Sequence, residues 1–250
     1  MCRFIGVVAD EPAPIDELIG DDLAPFLDLA CEHGHGWGVA HRDPDGSVGI
    51  VKAPERGDTS PRLSRWLGTC VTDMAIVHLR LASPGLPAVP GNTHPFGDAR
   101  SAFVHNGDYR PLDCLIGATD PSLLAAAEGQ TDSERYYLAV RTRMDAGVQP
   151  AKAISQTAAD VRMLATSCVA LNCLLLTPDA LYAYQENDPG SEVVERRGAD
   201  YFDLRYREAG GVTLVASVGW PQPAPGWRRL PPRYVLKVTA GSRDPEFYDA

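Results

Sequence analysis

The chain lacks several things that would have settled its class at once. Its 250 residues contain no C-x-x-C pair, no internal repeat and no low-complexity tract. There is no run of about 18 apolar residues, so a membrane-spanning helix is not expected. The first residues lack the basic region and long apolar stretch of a secretory signal, and a cytoplasmic location is expected. Positive charge is scarce: 23 Lys and Arg face 33 Asp and Glu, giving a net charge of −10 and a pI near 5.0. Phosphate backbones and anionic membranes are repelled by such a surface, apart from short basic stretches such as Arg228-Arg229. Nucleic acid and membrane are therefore not expected partners. Six cysteines, at positions 2, 31, 70, 114, 168 and 173, are too scattered for a disulfide framework. They read as reduced thiols, with Cys168 and Cys173 inside an apolar run that reads as core.

What is present is ordinary for a folded chain: 44% hydrophobic and 22% charged residues. Pro/Gly-rich segments are short enough to be loops, so a single domain over 1–250 is expected. Residues 3–9 read as a buried strand, and 15–29 as helical spacing interrupted by Gly20. The segments 37–41 and 48–52 flank Asp43-Pro44-Asp45-Gly46 and predict a hairpin. A short helix is expected over 59–67, and strands over 74–81 and 102–105, joined by a Pro/Gly-rich loop. Two helices follow, over 132–144 with Thr131, Asp132 and Ser133 as candidate caps, and over 150–164. Strands return at 169–176, 180–185, 201–205, 212–217 and 234–239. Strands, then two helices, then strands predict an α+β layered fold with mainly antiparallel sheets.

Cys2 is the most informative residue. If Met1 is removed, one residue carries both a thiol and a free α-amine, with unperturbed pKa values of about 8.5 and about 7.7 to 8.0, a nucleophile with its own base. The plainer reading is a small residue opening an apolar strand. Four downstream segments bear on the choice, and each has a plainer reading too. Arg80, in His78-Leu79-Arg80-Leu81-Ala82-Ser83, either reaches solvent from a strand end or forms a forked donor for a carboxylate. In Asn92-Thr93-His94-Pro95-Phe96, His94 is either a substrate contact or a structural hydrogen-bonding group. Asn106-Gly107, after Phe103-Val104-His105, is a common hairpin turn, or else a side-chain amide beside an open glycine N–H that together form an oxyanion hole. Asp132, in Gln130-Thr131-Asp132-Ser133-Glu134, is either part of a helix cap or a partner for an ammonium.

Taken together and in this order, these segments resemble the class II glutamine amidotransferases, a family of N-terminal-nucleophile hydrolases. Gly36-Trp37-Gly38 and the later strand pattern are also similar, and the likeness is nearest to stand-alone members without a fused synthase domain. The resemblance implies a four-layer αββα sandwich of two antiparallel sheets. It implies Cys2 as nucleophile, Asn106 and Gly107 as oxyanion donors, Arg80, Ser83 and His94 around the substrate α-carboxylate, and Asp132 on its α-ammonium. No cofactor or metal is implied. The reaction would be hydrolysis of the γ-amide of glutamine, or of a γ-glutamyl amide, through a γ-glutamyl thioester.

Two departures qualify the likeness. Leu81 stands where fused synthases often carry an aromatic residue, and Ser83 where they carry a threonine. After Thr239 only a short acidic tail is expected, so released ammonia would pass to a separate synthase, or the amine of a γ-glutamyl amide would itself be the product. Two rival readings are a zinc site from Cys31, His33, His35 and His41, whose spacing fits no common pattern, and a non-catalytic glutamine-binding module if Met1 is retained.

Overall fold

The computed structural model describes residues 1–242 and 245–249. In chain order the elements are β1 (Arg3–Pro14), α1 (Ile15–Ile19), α2 (Leu23–Asp28), β2 (Trp37–Arg42), β3 (Val48–Ala53), α3 (Pro61–Thr69) and β4 (Val71–Leu79). Then come β5 (Phe96–Asp98), β6 (Ser101–Arg110), α4 (Pro121–Ala125), α5 (Asp132–Asp145) and α6 (Pro150–Leu164). The last are β7 (Ser167–Leu176), β8 (Leu181–Tyr184), α7 (Glu192–Arg197), β9 (Leu204–Ala209), β10 (Val212–Ser217), β11 (Arg228–Arg229), β12 (Tyr234–Val238) and β13 (Glu246–Asp249). One sheet has seven strands in the order β11-β9-β10-β1-β4-β2-β3, and the other six in the order β13-β12-β8-β7-β6-β5. Every pairing within them is antiparallel.

Side chains alternate between the faces of a strand, and this period sorts the core into three layers. From β1, Phe4 and Val8 point between the sheets, where they meet Met74, Ile76, Val104, Leu174 and Leu181. Ile5 and Val7 point outward and pack with Ile15, Phe26, Leu63 and Leu67 of α1, α2 and α3. On the outer face of the second sheet, Phe103, Leu171 and Leu175 pack against Tyr136, Val140, Ile154 and Val161 of α5 and α6. Each large apolar side chain so buried contributes roughly 1.5–3 kcal/mol. The result is the expected α+β, four-layer αββα sandwich. Because residues 4–9 of β1 are buried on both faces, that stretch reads as a continuous apolar run.

The helix read over 15–29 is split into α1 and α2. The strand expected over 102–105 runs on to Arg110 and passes straight through Asn106-Gly107, so that pair is not a turn. The strand expected over 201–205 is shifted to Leu204–Ala209; Tyr201 instead lies beneath the Arg3 guanidinium, 4.2 Å from its ring centre. In the segment read as an acidic tail, β13 adds to β12, with Leu236 opposite Phe247. Residues 243, 244 and 250 of that segment lie outside the described residues.

Candidate active site

The alternation that builds the inter-sheet core also builds one end of it. Cys2 precedes β1 by one residue and shares the face of Phe4, and His78 of β4, opposite Phe4 in register, shares the face of Ile76. Asn106 follows Ala102 and Val104 on the facing strand β6. Cys2 is 8% exposed, and its thiol is directed to the carbonyl of Leu81 at 3.8 Å. Burial pushes this thiol up, partly opposed by the neighbouring amine and Arg80. The α-amine of Met1 is pushed down, again mainly by burial. The shifts have opposite sense because desolvation penalises both charged forms. Burial therefore favours the neutral forms of both groups over a thiolate–ammonium pair.

Arg80 lies just past β4 and is 2% exposed. One guanidinium nitrogen, Nη1, donates to the carbonyls of His35 (3.4 Å) and Pro87 (3.3 Å), whereas Nη2 is buried with no partner. Among the described residues no carboxylate pairs with it. A buried cation lacking an anion is costly unless a ligand supplies one. Asp132 opens α5, behind Thr131, whose hydroxyl caps the helix by accepting from the N–H of Glu134 at 3.1 Å. The Asp132 carboxylate accepts the N–H of Tyr109 at 3.3 Å, and the Tyr109 hydroxyl donates to the Asp132 carbonyl at 2.9 Å. Burial raises the Asp132 carboxyl to about 6.

That shift has a stability consequence. The carboxyl titrates near 3.8 when unfolded and near about 6 when folded, so stability present below the lower value is lost as pH rises through the upper one. The loss is about 3 kcal/mol when complete. Asp132→Asn, whose carbonyl oxygen can still accept from Tyr109, is expected to be more stable than the parent at pH 8 and no more stable at pH 4. Thermal melts of both proteins across that range check it.

Gly107 is required by space. A Cβ there would lie 1.7 Å from the carbonyl oxygen of Ala170 on β7 and 2.5 Å from the His105 ring. Gly38 plays a similar part on β2: a Cβ would lie 2.1 Å from the His94 carbonyl, so only glycine lets the 92–95 loop pass this close. Lys52 holds the same loop by donating to the carbonyls of Thr93 (2.8 Å) and Pro95 (3.1 Å). His94 is thereby pressed onto His78, with ring centres 4.2 Å apart and 27° between planes. Burial and the neighbouring positive and titratable groups hold both imidazoles well below their ordinary pKa.

Cys2, Arg80, Ser83, His94, Gly107 and Asp132 all line one cavity of about 30 Å³. Asn106, wholly buried, sits behind that lining, and both polar atoms of its side chain lack a partner. Two further histidines belong here. His105 lines the cavity and bridges β6 to α5, its Nδ1 hydrogen-bonded to the Ser133 hydroxyl at 3.0 Å and its Nε2 to the Ala170 carbonyl at 3.2 Å. His78 sits on β4 two residues before Arg80, opposite Phe4 in register, with its side chain close to Cys2. Met1 also lines the cavity and packs near Ala170, Val194 and Phe202.

The four residues of the rival zinc reading are not brought together. His35 Nδ1 accepts the N–H of Ala82 at 3.0 Å, His41 pairs with Asp43 at 3.2 Å, His33 is buried near the N-terminus and Cys31 is exposed. Among the described residues no helix is long and apolar enough to cross a membrane.

Two facing antiparallel sheets flanked by helices define the architecture of the N-terminal-nucleophile hydrolases. The sequence profile of the class II glutamine amidotransferases matches residues 1–205, and the chain belongs to that family. Among solved structures, a glutamine aminotransferase class-II domain protein from Silicibacter pomeroyi shares 19% identity over 99% of each chain, with a TM-score of 0.70. Glutamine phosphoribosylpyrophosphate amidotransferase from B. subtilis shares 16% identity over 99% of this chain and 49% of its own length, with a TM-score of 0.62. At these identities the likeness is one of fold. No curated protein matches the chain.

Proposed function

We propose that the chain hydrolyses a γ-glutamyl amide, glutamine in the first instance, with Cys2 as an N-terminal nucleophile freed by removal of Met1, within one catalytic domain spanning 1–250. The observation that carries this reading is that a buried guanidinium with no carboxylate partner and one free nitrogen, Arg80, and a buried carboxyl, Asp132, line the same cavity as the Cys2 side chain. A free amino-acid head group needs one fixed cation for its carboxylate and one fixed anion for its ammonium. Arg80 takes the first role, supported by Ser83 and His94 in the same wall, and Asp132 the second. Substrate binding also supplies the anion that Arg80 lacks.

In this mechanism the Cys2 sulfur attacks the side-chain carbonyl carbon while the α-amine takes the thiol proton. Negative charge develops on the carbonyl oxygen, where the Asn106 amide and the Gly107 N–H donate. Collapse breaks the C–N bond, the amine returns the proton to the leaving nitrogen, and ammonia or a larger amine departs. Water then attacks the γ-glutamyl thioester by the same route, releasing glutamate and the thiol. Met1 lines a cavity with room for little more than a water molecule or two. Its removal frees the amine and takes away one wall at the same time.

The test is to confirm Met1 removal by intact mass and then supply the processed protein with glutamine and a panel of γ-glutamyl amides. Glutamate release with ammonia from glutamine is the expected result. A strong preference for a bulky amide would identify a dedicated hydrolase whose amine is the product, and preference for glutamine an ammonia donor to a separate synthase. Processed, folded protein that cleaves none of them overturns the reading. Activity is also expected to fall below about pH 6, as Asp132 becomes neutral and loses its hold on the ammonium.

A further inference from the structure

Cys2 Sγ, a ring nitrogen of His78 and a ring nitrogen of His94 lie within 4.8 Å of one another, on three buried residues. Among the described residues this is the only group of three or more Cys, His, Asp or Glu side chains so arranged. The two imidazoles differ from the other histidines of the site in one respect: none of their four buried ring nitrogens makes a well-formed hydrogen bond, the one polar neighbour being the His105 backbone beside His78. His35 and His105, by contrast, spend ring nitrogens on backbone and hydroxyl groups. Buried polar atoms are rarely left unpaired, and each such atom costs roughly 1–3 kcal/mol. Amide hydrolysis as formulated above uses the sulfur and sets His94 beside the substrate carboxylate, but it gives His78 no role.

We propose that Cys2, His78 and His94 form a binding site for a single zinc ion, with the nucleophilic sulfur as one ligand, so that metal loading and amide hydrolysis exclude one another. One sulfur and two imidazole nitrogens are a donor set that zinc accepts readily, at about 2.3 Å to sulfur and about 2.0–2.1 Å to nitrogen. A tetrahedral ion then places donor atoms about 3.3–3.6 Å apart. The donors present within 4.8 Å must close by roughly 1 Å, which side-chain rotation can supply. Binding exchanges the thiol proton for the metal, and that proton is released to solvent.

The three side-chain ligands do not depend on the proposed catalysis. A fourth ligand does: if Met1 is removed, the Cys2 amine lies on the same residue as the sulfur and closes a five-membered chelate ring. In that state both the nucleophile and its base are held by the ion. The ion would bind reversibly, because the outer nitrogens of the two imidazoles lack the second-shell hydrogen bonds that stiffen structural zinc sites.

The experiment uses chelator-stripped full-length protein and Co²⁺ as a spectroscopic probe. The expected result is one Co²⁺ per chain, with a thiolate-to-cobalt charge-transfer band and tetrahedral ligand-field bands, displaced by one equivalent of Zn²⁺. Cys2→Ser should lose the charge-transfer band, and His94→Gln, checked for folding by circular dichroism, should lose stoichiometric binding. Cys31→Ser, which removes an exposed thiol, should leave the spectrum unchanged. Where hydrolysis is measured in parallel, zinc should abolish it and chelator should restore it. Folded protein that gives no charge-transfer band, or a band that survives Cys2→Ser or His94→Gln, overturns the site. The spectrum is read without turnover, so loss of the hydrolase reading and loss of the metal site are separate outcomes.

Discussion

Cys2→Ala is expected to reduce glutamate release by about 10⁶-fold, the scale on which removal of a serine nucleophile acts in a protease. The structure argues that this loss is chemical. The Cys2 thiol makes one long contact, to the Leu81 carbonyl at 3.8 Å, and no element depends on it. Truncation to alanine removes a single sulfur from a site that is already hollow, and the melting temperature should move by no more than about 4 °C. Parent and variant, both processed to remove Met1, are compared in a glutamate-release assay alongside a thermal melt. Turnover that survives in the variant would rule out the thiol as nucleophile, whatever the family of the chain.

Asn106→Ala is expected to lower kcat by about 10²- to 10³-fold with little change in KM, as when one oxyanion donor is removed. The stability effect should run the other way from that of an ordinary core polar residue. Asn106 is wholly buried, and neither its amide nitrogen nor its oxygen has a partner. The folded protein therefore carries a desolvated amide, a cost of about 1–3 kcal/mol that alanine removes, offset by the small void left behind. Lost rate at constant or raised melting temperature is the signature of a group held ready for the transition state. A fall in both together would mark Asn106 as structural instead. Steady-state kinetics and melts on the same preparations distinguish the two.

Much of this was readable in the chain. The helix over 150–164 has the expected bounds because Pro150 fixes its start. The hairpin around Asp43-Pro44-Asp45-Gly46 forms because its turn residues and flanking strands agree. The conjunction of Cys2, Arg80, Ser83, His94, Gly107 and Asp132 was legible as a set, and those residues meet in one cavity. Where sequence reading fell short, longer-range packing prevailed over local preference. Asn106-Gly107 has turn chemistry, yet the pair continues β6 because Gly107 must press against the Ala170 backbone, contributed 63 residues away in sequence by β7. The strand expected from Tyr201 begins at Leu204 because Tyr201 stacks with Arg3. The short elements α4, α7, β11 and β13 carry too few residues for any period to stand out. His78 and His105 were in view but unassigned, since only the paired register of β1 with β4 and of β6 with β7 reveals which face each occupies.

Cys2 and His78 are contributed by the seven-stranded sheet, while Asn106 and Gly107 are contributed by the six-stranded one. Neither half of the sandwich holds all of the proposed machinery, and what fixes the distance between the proposed nucleophile and the proposed oxyanion donors is the greasy filling of Phe4, Ile76, Val104 and Leu174. On the proposed mechanism, turnover gauges how tightly the two leaves are clamped, a property to which helix content is blind.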